Sequence, residues 1–174
     1  MAGGDDLTPQ RLIDLLGLVP LPVEGGFYRE TWRADESVSA AALPSRYGRS
    51  KTFGTAIYYL LTSDPDSFSA LHRLPTEEVF HFYLGDPVEM LMLHPGGVSE
   101  RILFGHDLAG GQRVQHVVPR AVWQGSQLLD GGRFALMGTT MAPGYDPHDY
   151  EGGDRDALVR DYPAEADRIL RLTR

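Results

Sequence analysis

The 174-residue sequence contains no cysteine. That removes disulfides, thiolate nucleophiles and Cys-ligated zinc or iron–sulfur centres. Any metal would have to sit on His, carboxylate, amide or water. Lysine is nearly absent as well: Lys51 is the only one, and no run of five basic residues occurs. Sixteen Lys and Arg face 24 Asp and Glu, a formal net charge of −8. Such a surface repels nucleic acid and anionic lipid, so neither is expected as a partner. No stretch of eighteen apolar residues is present to span a bilayer. The opening Met1-Ala2-Gly3-Gly4-Asp5-Asp6 is acidic with no apolar segment behind it, which does not read as a secretory signal. A soluble, cytoplasmic protein without a membrane partner is expected.

What is present is ordinary globular material, 42% hydrophobic and 23% charged, with 20 Gly and 12 Pro. A chain of this length buries roughly 70% of its unfolded surface and suits one domain over residues 1–174. Thr8 as N-cap, Pro9 at the first turn, Leu12, Ile13, Leu15 and Leu16 at helical spacing and Gly17 as a stop predict a helix over 8–17. After Gly25-Gly26, an aromatic alternating run to Arg33 reads as a strand, and 34–50 as a long loop. A second strand signal runs from Lys51 to Thr62. Short strands then recur at 68–74, 78–84, 88–94, 100–104, 112–118, 121–127 and 133–141, separated by Pro and Gly turns. This spacing implies an all-β sandwich or barrel over 24–150. Residues 154–174 read as a helical tail, broken at Pro163.

The chemistry is concentrated in two stretches. In Ser69–Gly85, His72 on one strand is followed six residues later by Glu78 at the start of the next. A hairpin can set the two side by side on a concave face, with Glu78, Phe80 and Phe82 on one side and Val79, His81 and Tyr83 on the other. The second stretch, Gly110–Gln124, reads as turn, strand, proline corner and strand. The plain alternative is a hydrogen-bonded core histidine and a solvated hairpin glutamate.

Together the two stretches resemble the paired motifs of the cupin superfamily. His72, Glu78 and Gly85 match the first motif; Pro119 matches the second, where Ala121 stands in for its glycine. Leu74 occupies the position of the first motif's second histidine, and Gln124 the histidine of the second motif. A closer resemblance covers nearly the whole chain. The blocks Glu24-Gly25-Gly26-Phe27-Tyr28-Arg29-Glu30, Ser69-x-x-His72-Arg73, Glu78-Val79-Phe80-His81-Phe82-Tyr83, Gln115-x-Val117-Val118-Pro119 and Ala142-Pro143-Gly144-Tyr145 look like those of the Cupin_5 family. The resemblance implies an all-β double-stranded β-helix, the cupin jelly roll, assembled as a homodimer around a small-molecule pocket. It implies no assigned reaction.

No cofactor is expected, and at most weak divalent-metal binding by His72, Glu78 and Gln124, because two usual ligand positions are lost. His72 is the expected base, Glu78 its orienting partner, and Tyr28 the acid. By strand parity Tyr28 and Glu30 line the mouth, together with Trp32. Phe80, Phe82 and Trp123 are expected to line the pocket, and Gln115 and Gln124 to read a polar ligand. Three functions are open: a metal-independent isomerase or epimerase acting beside a carbonyl, a non-catalytic small-molecule-binding protein, or a metal-dependent cupin oxygenase or isomerase with a degenerate ligand set.

Overall fold

Glycine and proline punctuate the strands largely where the sequence places them. The computed structural model describes residues 7–174; the acidic opening of residues 1–6, and its reading as no secretory signal, lie outside it. In chain order the elements are α1 (Pro9–Leu16), β1 (Val19–Pro20), β2 (Phe27–Arg33), β3 (Ser37–Val38), β4 (Lys51–Thr52), β5 (Thr55–Thr62), β6 (Ser69–Arg73) and β7 (Glu78–Gly85). There follow β8 (Val88–His94), β9 (Val98–Phe104), β10 (Gln115–Val118), β11 (Trp123–Leu128), β12 (Phe134–Met141), β13 (Glu151–Gly152), α2 (Arg155–Asp161) and α3 (Ala166–Arg171). Thr8 Oγ1 accepts from Arg11 N, and Gly17 ends α1 in the left-handed region, as the sequence predicts.

Two antiparallel sheets carry the fold, in the orders β1-β2-β5-β12-β7-β10 and β13-β6-β11-β8-β9. They are separate sheets, so the expected barrel over 24–150 is an open jelly-roll sandwich whose strands run from Val19 to Gly152. Alternation explains the layers. In β8, Met90 and Met92 point between the sheets, while Leu91 and Leu93 point out beneath α2 and α3. In β12, Ala135 and Met137 point inward, while Phe134 and Leu136 pack with Leu12 and Leu18 at α1. Strands buried on both faces read as near-continuous apolar runs, and these do.

Two strand predictions shift. The run from Lys51 to Thr62 breaks at Phe53-Gly54, where a Cβ on Gly54 would strike the Trp32 ring; β4 pairs with β3 and only β5 enters the first sheet. The strand expected from Gln112 begins at Gln115, because Gln112 Oε1 accepts from Asp107 N and closes a loop.

Ile169 is fully buried between α3 and the second sheet. Ile169→Ala is expected to cost about 2–5 kcal/mol, read by urea unfolding.

Candidate functional site

Three rungs of the first sheet build one wall of an interior cavity. Glu78 lies beside Met141, which lies beside Thr55; Phe80 beside Thr139, Ile57 and Glu30; and Tyr28 beside Tyr59. The second sheet supplies His72 from β6. The cavity, of about 60 Å³, is closed further by Leu21, Glu24, Leu74 and Tyr145. Larger clefts lie on the surface, one of about 530 Å³ beside Arg46, Arg49 and Arg73, but they are open grooves.

His72 is buried, with Nδ1 2.8 Å from the Ala70 carbonyl. A carbonyl only accepts, so Nδ1 carries the proton in that bond, and in the neutral ring Nε2 is the acceptor. Nε2 has no protein partner among the described residues. Tyr150 stacks on the imidazole with ring centroids 5.0 Å apart. The tyrosine arrives there because β13 pairs with β6, opposing Glu151 to Arg73 and Gly152 to His72. Arg73 clamps that return with two bonds of 2.8 Å to Glu151.

Glu78 is also buried, and Gln124 Nε2 donates to its Oε2 at 2.7 Å across the sandwich. Burial pushes its carboxyl up; His72 and the bonds from Thr139 and Gln124 oppose this, and Glu24 reinforces it. Gln124 Oε1 is buried without a partner. Tyr145 is pushed up to about 12, by burial and then by Glu24 and Glu78. Tyr150 is raised by burial, with Glu24 adding to the effect.

His72, Glu78, Tyr28, Glu30 and Phe80 therefore share the cavity, with Gln124 behind Glu78. The ring of His72 is oriented by Ala70 rather than by Glu78. Glu30 sits at the mouth, held by Arg33 at 2.7 Å. The other expected positions differ. Phe82 points inward, but its rung is filled by Met137 between it and Tyr59, so it packs in the core. Trp123 alternates with Gln124 and so faces outward, packed against the helical layer with Arg73 4.5 Å above its ring. Gln115 is exposed on the outer face of β10, its Nε2 3.3 Å from His81 Nδ1, while His116 and Val118 take the inner side. Trp32 leaves the face of Glu30 at a register slip and is half exposed.

Glu24, Tyr145 and Tyr150 were not expected at the site, and of Tyr58 and Tyr59, which face opposite ways, it is Tyr59 that lines it. Glu24 and Tyr145 were visible within two of the signature blocks, but nothing local places either beside His72. Gly25 and Gly26 make the approach of Glu24 possible: both have positive φ, and a Cβ on Gly25 would meet the Phe68 carbonyl. Tyr59 then donates to the Gly25 carbonyl at 3.0 Å.

The residues present do not fit a tightly held metal. With Leu74 and Gln124 in two ligand positions, His72 and Glu78 are the strong donors left, and Gln124 already binds Glu78. Among the described residues no three His, Asp or Glu side chains converge at metal-holding distance.

This arrangement, a buried His and Glu on facing sheets of a jelly roll, is that of a cupin. The chain belongs to the Cupin_5 family, described as "Cupin superfamily (DUF985)", which it matches over residues 10–152. It is similar to the uncharacterised yeast (Saccharomyces cerevisiae) protein YML079W, 29% identical over 136 residues, covering 73% of this chain and 66% of that protein, just under two thirds of it. The crystal structure of protein SO0799 from Shewanella oneidensis and the solved structure of a hypothetical protein from Leishmania major each superpose with TM-score 0.83 at 30% identity. The first covers 97% of this chain and 98% of its own, the second 96% and 99%. Oxalate decarboxylase from Bacillus subtilis superposes at TM-score 0.50 and 13% identity, over 89% of this chain and 37% of its own, a likeness of fold alone. No helix among the described residues is long and apolar enough to cross a membrane.

The sole lysine fastens the site's loop. Lys51 is buried, with Nζ 2.7 Å from both oxygens of Asp149 and 3.1 Å from Asp146, between Tyr145 and Tyr150 in sequence. Lys51→Met would leave Asp149 buried without its cation and is expected to cost about 3–5 kcal/mol in denaturant unfolding. Burial alone would raise Asp146, but hydrogen bonds from His148 and Lys51 hold it well below the usual carboxylate range. Its contribution is therefore complete above the unfolded value of about 4 and lost as pH falls toward the folded one. Asp146→Asn is expected to flatten the loss of stability below about pH 4 in acid melts.

Proposed function

We propose that the cavity binds a small polar carbonyl compound and moves a proton on it, an isomerisation or epimerisation beside the carbonyl that needs no metal. The supporting observation is the placement of an unpartnered imidazole nitrogen and a buried carboxyl, raised by its surroundings, on one enclosed cavity. Two groups with opposite proton demands in one site are the usual requirement of acid–base chemistry.

His72 Nε2 takes the proton from the carbon next to the carbonyl. The C–H bond breaks, an N–H bond forms, and the electron pair enters a new C=C bond. Glu78, whose carboxyl burial raises, gives its proton to the carbonyl oxygen, so an enol forms in place of an enolate. Gln124 on Oε2 leaves Oε1 as the oxygen that carries this proton. Tyr28 comes from the sheet facing His72 and is the donor that returns a proton to the carbon from another side. Glu78 takes back the enol proton as the carbonyl re-forms; His72 is then one proton richer and Tyr28 one poorer, and exchange with solvent restores both, with no net change in oxidation state.

Non-catalytic binding is the second reading, favoured by the apolar share of the lining, Leu21, Ile57, Leu74, Phe80 and Met141. It expects a ligand recovered unchanged. A homodimer belongs to the same proposal. It is supported by the exposed Tyr83 and Val117 on the outer face of the first sheet away from α1. Sedimentation equilibrium is expected to give twice the monomer mass.

A panel of keto sugars and other enolisable carbonyls tests the reaction. On an accepted substrate, His72→Ala is expected to lower kcat by about 10²–10⁴-fold with circular dichroism unchanged. The rate should fall at high pH as Glu78, raised by burial, loses its proton. Glu78→Gln should remove the alkaline limb. An unchanged rate in His72→Ala would show the mechanism to be wrong.

A further inference from the structure

Glu24 is the cavity carboxylate that neither an arginine nor the proton transfer employs. Glu30 is matched by Arg33, and Glu78 is the proposed acid. Glu24 is half-buried, its Oε1 accepting from Ser69 Oγ at 2.8 Å. Arg174 passes close by but is committed to backbone carbonyls. Its Nε binds Val23 O at 3.0 Å, its Nη2 binds Asp66 O at 2.9 Å, and its guanidinium lies 4.3 Å above the Phe68 ring. No Lys or Arg lines the cavity among the described residues. The charge of Glu24 reaches the whole site: Tyr59, Glu78, Tyr145 and Tyr150 are each raised, by burial first and by Glu24 in addition.

The rest of the lining points the same way. His72, 2% exposed, spends Nδ1 on the Ala70 carbonyl and leaves Nε2 without a protein partner among the described residues. Aromatic side chains make up much of the remaining wall, Tyr28, Tyr59, Phe80 and Tyr145. Acceptors, a carboxylate and aromatic faces together are the chemistry that holds an organic ammonium. They repel carboxylates and phosphates.

We propose that the molecule held here carries an ammonium group, seated at Glu24 beside Tyr28 and Tyr145. The substrate class is then an amino-carbonyl compound, an amino ketone or amino sugar, in place of a phosphorylated or carboxylated one. The carbonyl half of this inference rests on the proton-transfer reading, whereas the ammonium half stands on Glu24 and the aromatic wall. A positive charge next to the carbonyl also favours loss of the neighbouring proton, adding to the proton that Glu78 gives the carbonyl oxygen.

The test is calorimetric binding of aminoacetone, hydroxyacetone, pyruvate and methylammonium to the wild-type protein, followed by NMR of deuterium uptake at carbon. Aminoacetone is expected to bind at least about tenfold more tightly than hydroxyacetone, a gap of about 1.4 kcal/mol. Methylammonium should compete with it, and pyruvate should not bind. Glu24→Gln should close the gap between aminoacetone and hydroxyacetone; the wild-type series stands even if that variant fails to fold. Equal affinities, a preference for pyruvate, no response to either ammonium probe, or binding of Mn²⁺ or Ca²⁺ alone would each overturn the ammonium. Tight aminoacetone binding without deuterium uptake that His72→Ala abolishes would uphold the ammonium and overturn the proton transfer.

Discussion

The strands that reach the cavity have little freedom in which side chains they send there, because much of each sheet is covered on both faces. In β12 and β8 alternate residues serve two different cores, so a shift of one residue would exchange a whole set of contacts. The interior rung is thereby fixed. Once Met137 and Phe82 fill one end of the sandwich, Glu78, Phe80 and Thr139 open onto the other. The site is a consequence of where the packing stops.

Placing polar groups at that end works against burial, and the structure meets the penalty unevenly. Glu78 receives an amide donor from Gln124, and His72 a carbonyl acceptor from its own strand. Ser126 Oγ and Gln124 Oε1 remain buried without partners. A buried group left unpaired costs about 1–3 kcal/mol, which a protein retains where function requires it. Farther out, the loop carrying Tyr145 and Tyr150 is held by a buried ammonium and by the fork from Arg73 to Glu151. The aromatic cover over His72 is therefore tied down from two sides.

The contrast between what the sequence revealed and what it hid follows from distance along the chain. His72, Glu78 and Phe80 were legible because a six-residue hairpin spacing and period-two alternation are local properties. Tyr28 and Glu30 were legible for the same reason, whereas Trp32, two residues on, was misplaced by a register slip that alternation does not announce. Trp123 and Gln115 were assigned to the pocket by residue type, and strand parity sends both outward. Tyr150 reaches His72 through a two-residue strand, and Glu24 reaches Glu78 through a pair of positive-φ glycines. No periodic signal marks either route. The helices and the order of the strands were legible almost throughout, since capping and turn residues act within a few positions of themselves.

The departures from the cupin motifs have a single electrostatic consequence. A carboxylate in a metal-binding pocket is balanced by the ion it holds. Here Leu74 adds apolar surface to the cavity, and Gln124 offers an amide N–H to Glu78 where a histidine is usual. Neither supplies a positive charge. Glu78 stays buried with a second carboxylate, Glu24, acting on it, and its proton is held more tightly as a result. Ala121 supports the view that the scaffold itself was retained: it keeps the left-handed backbone, φ 63, at the position where the second motif has glycine. That conformation costs a non-glycine residue about 1–2 kcal/mol. The corner has kept its geometry while the ligand positions on either side changed their chemistry, and on the proposed reading this turns a metal's carboxylate into a proton donor.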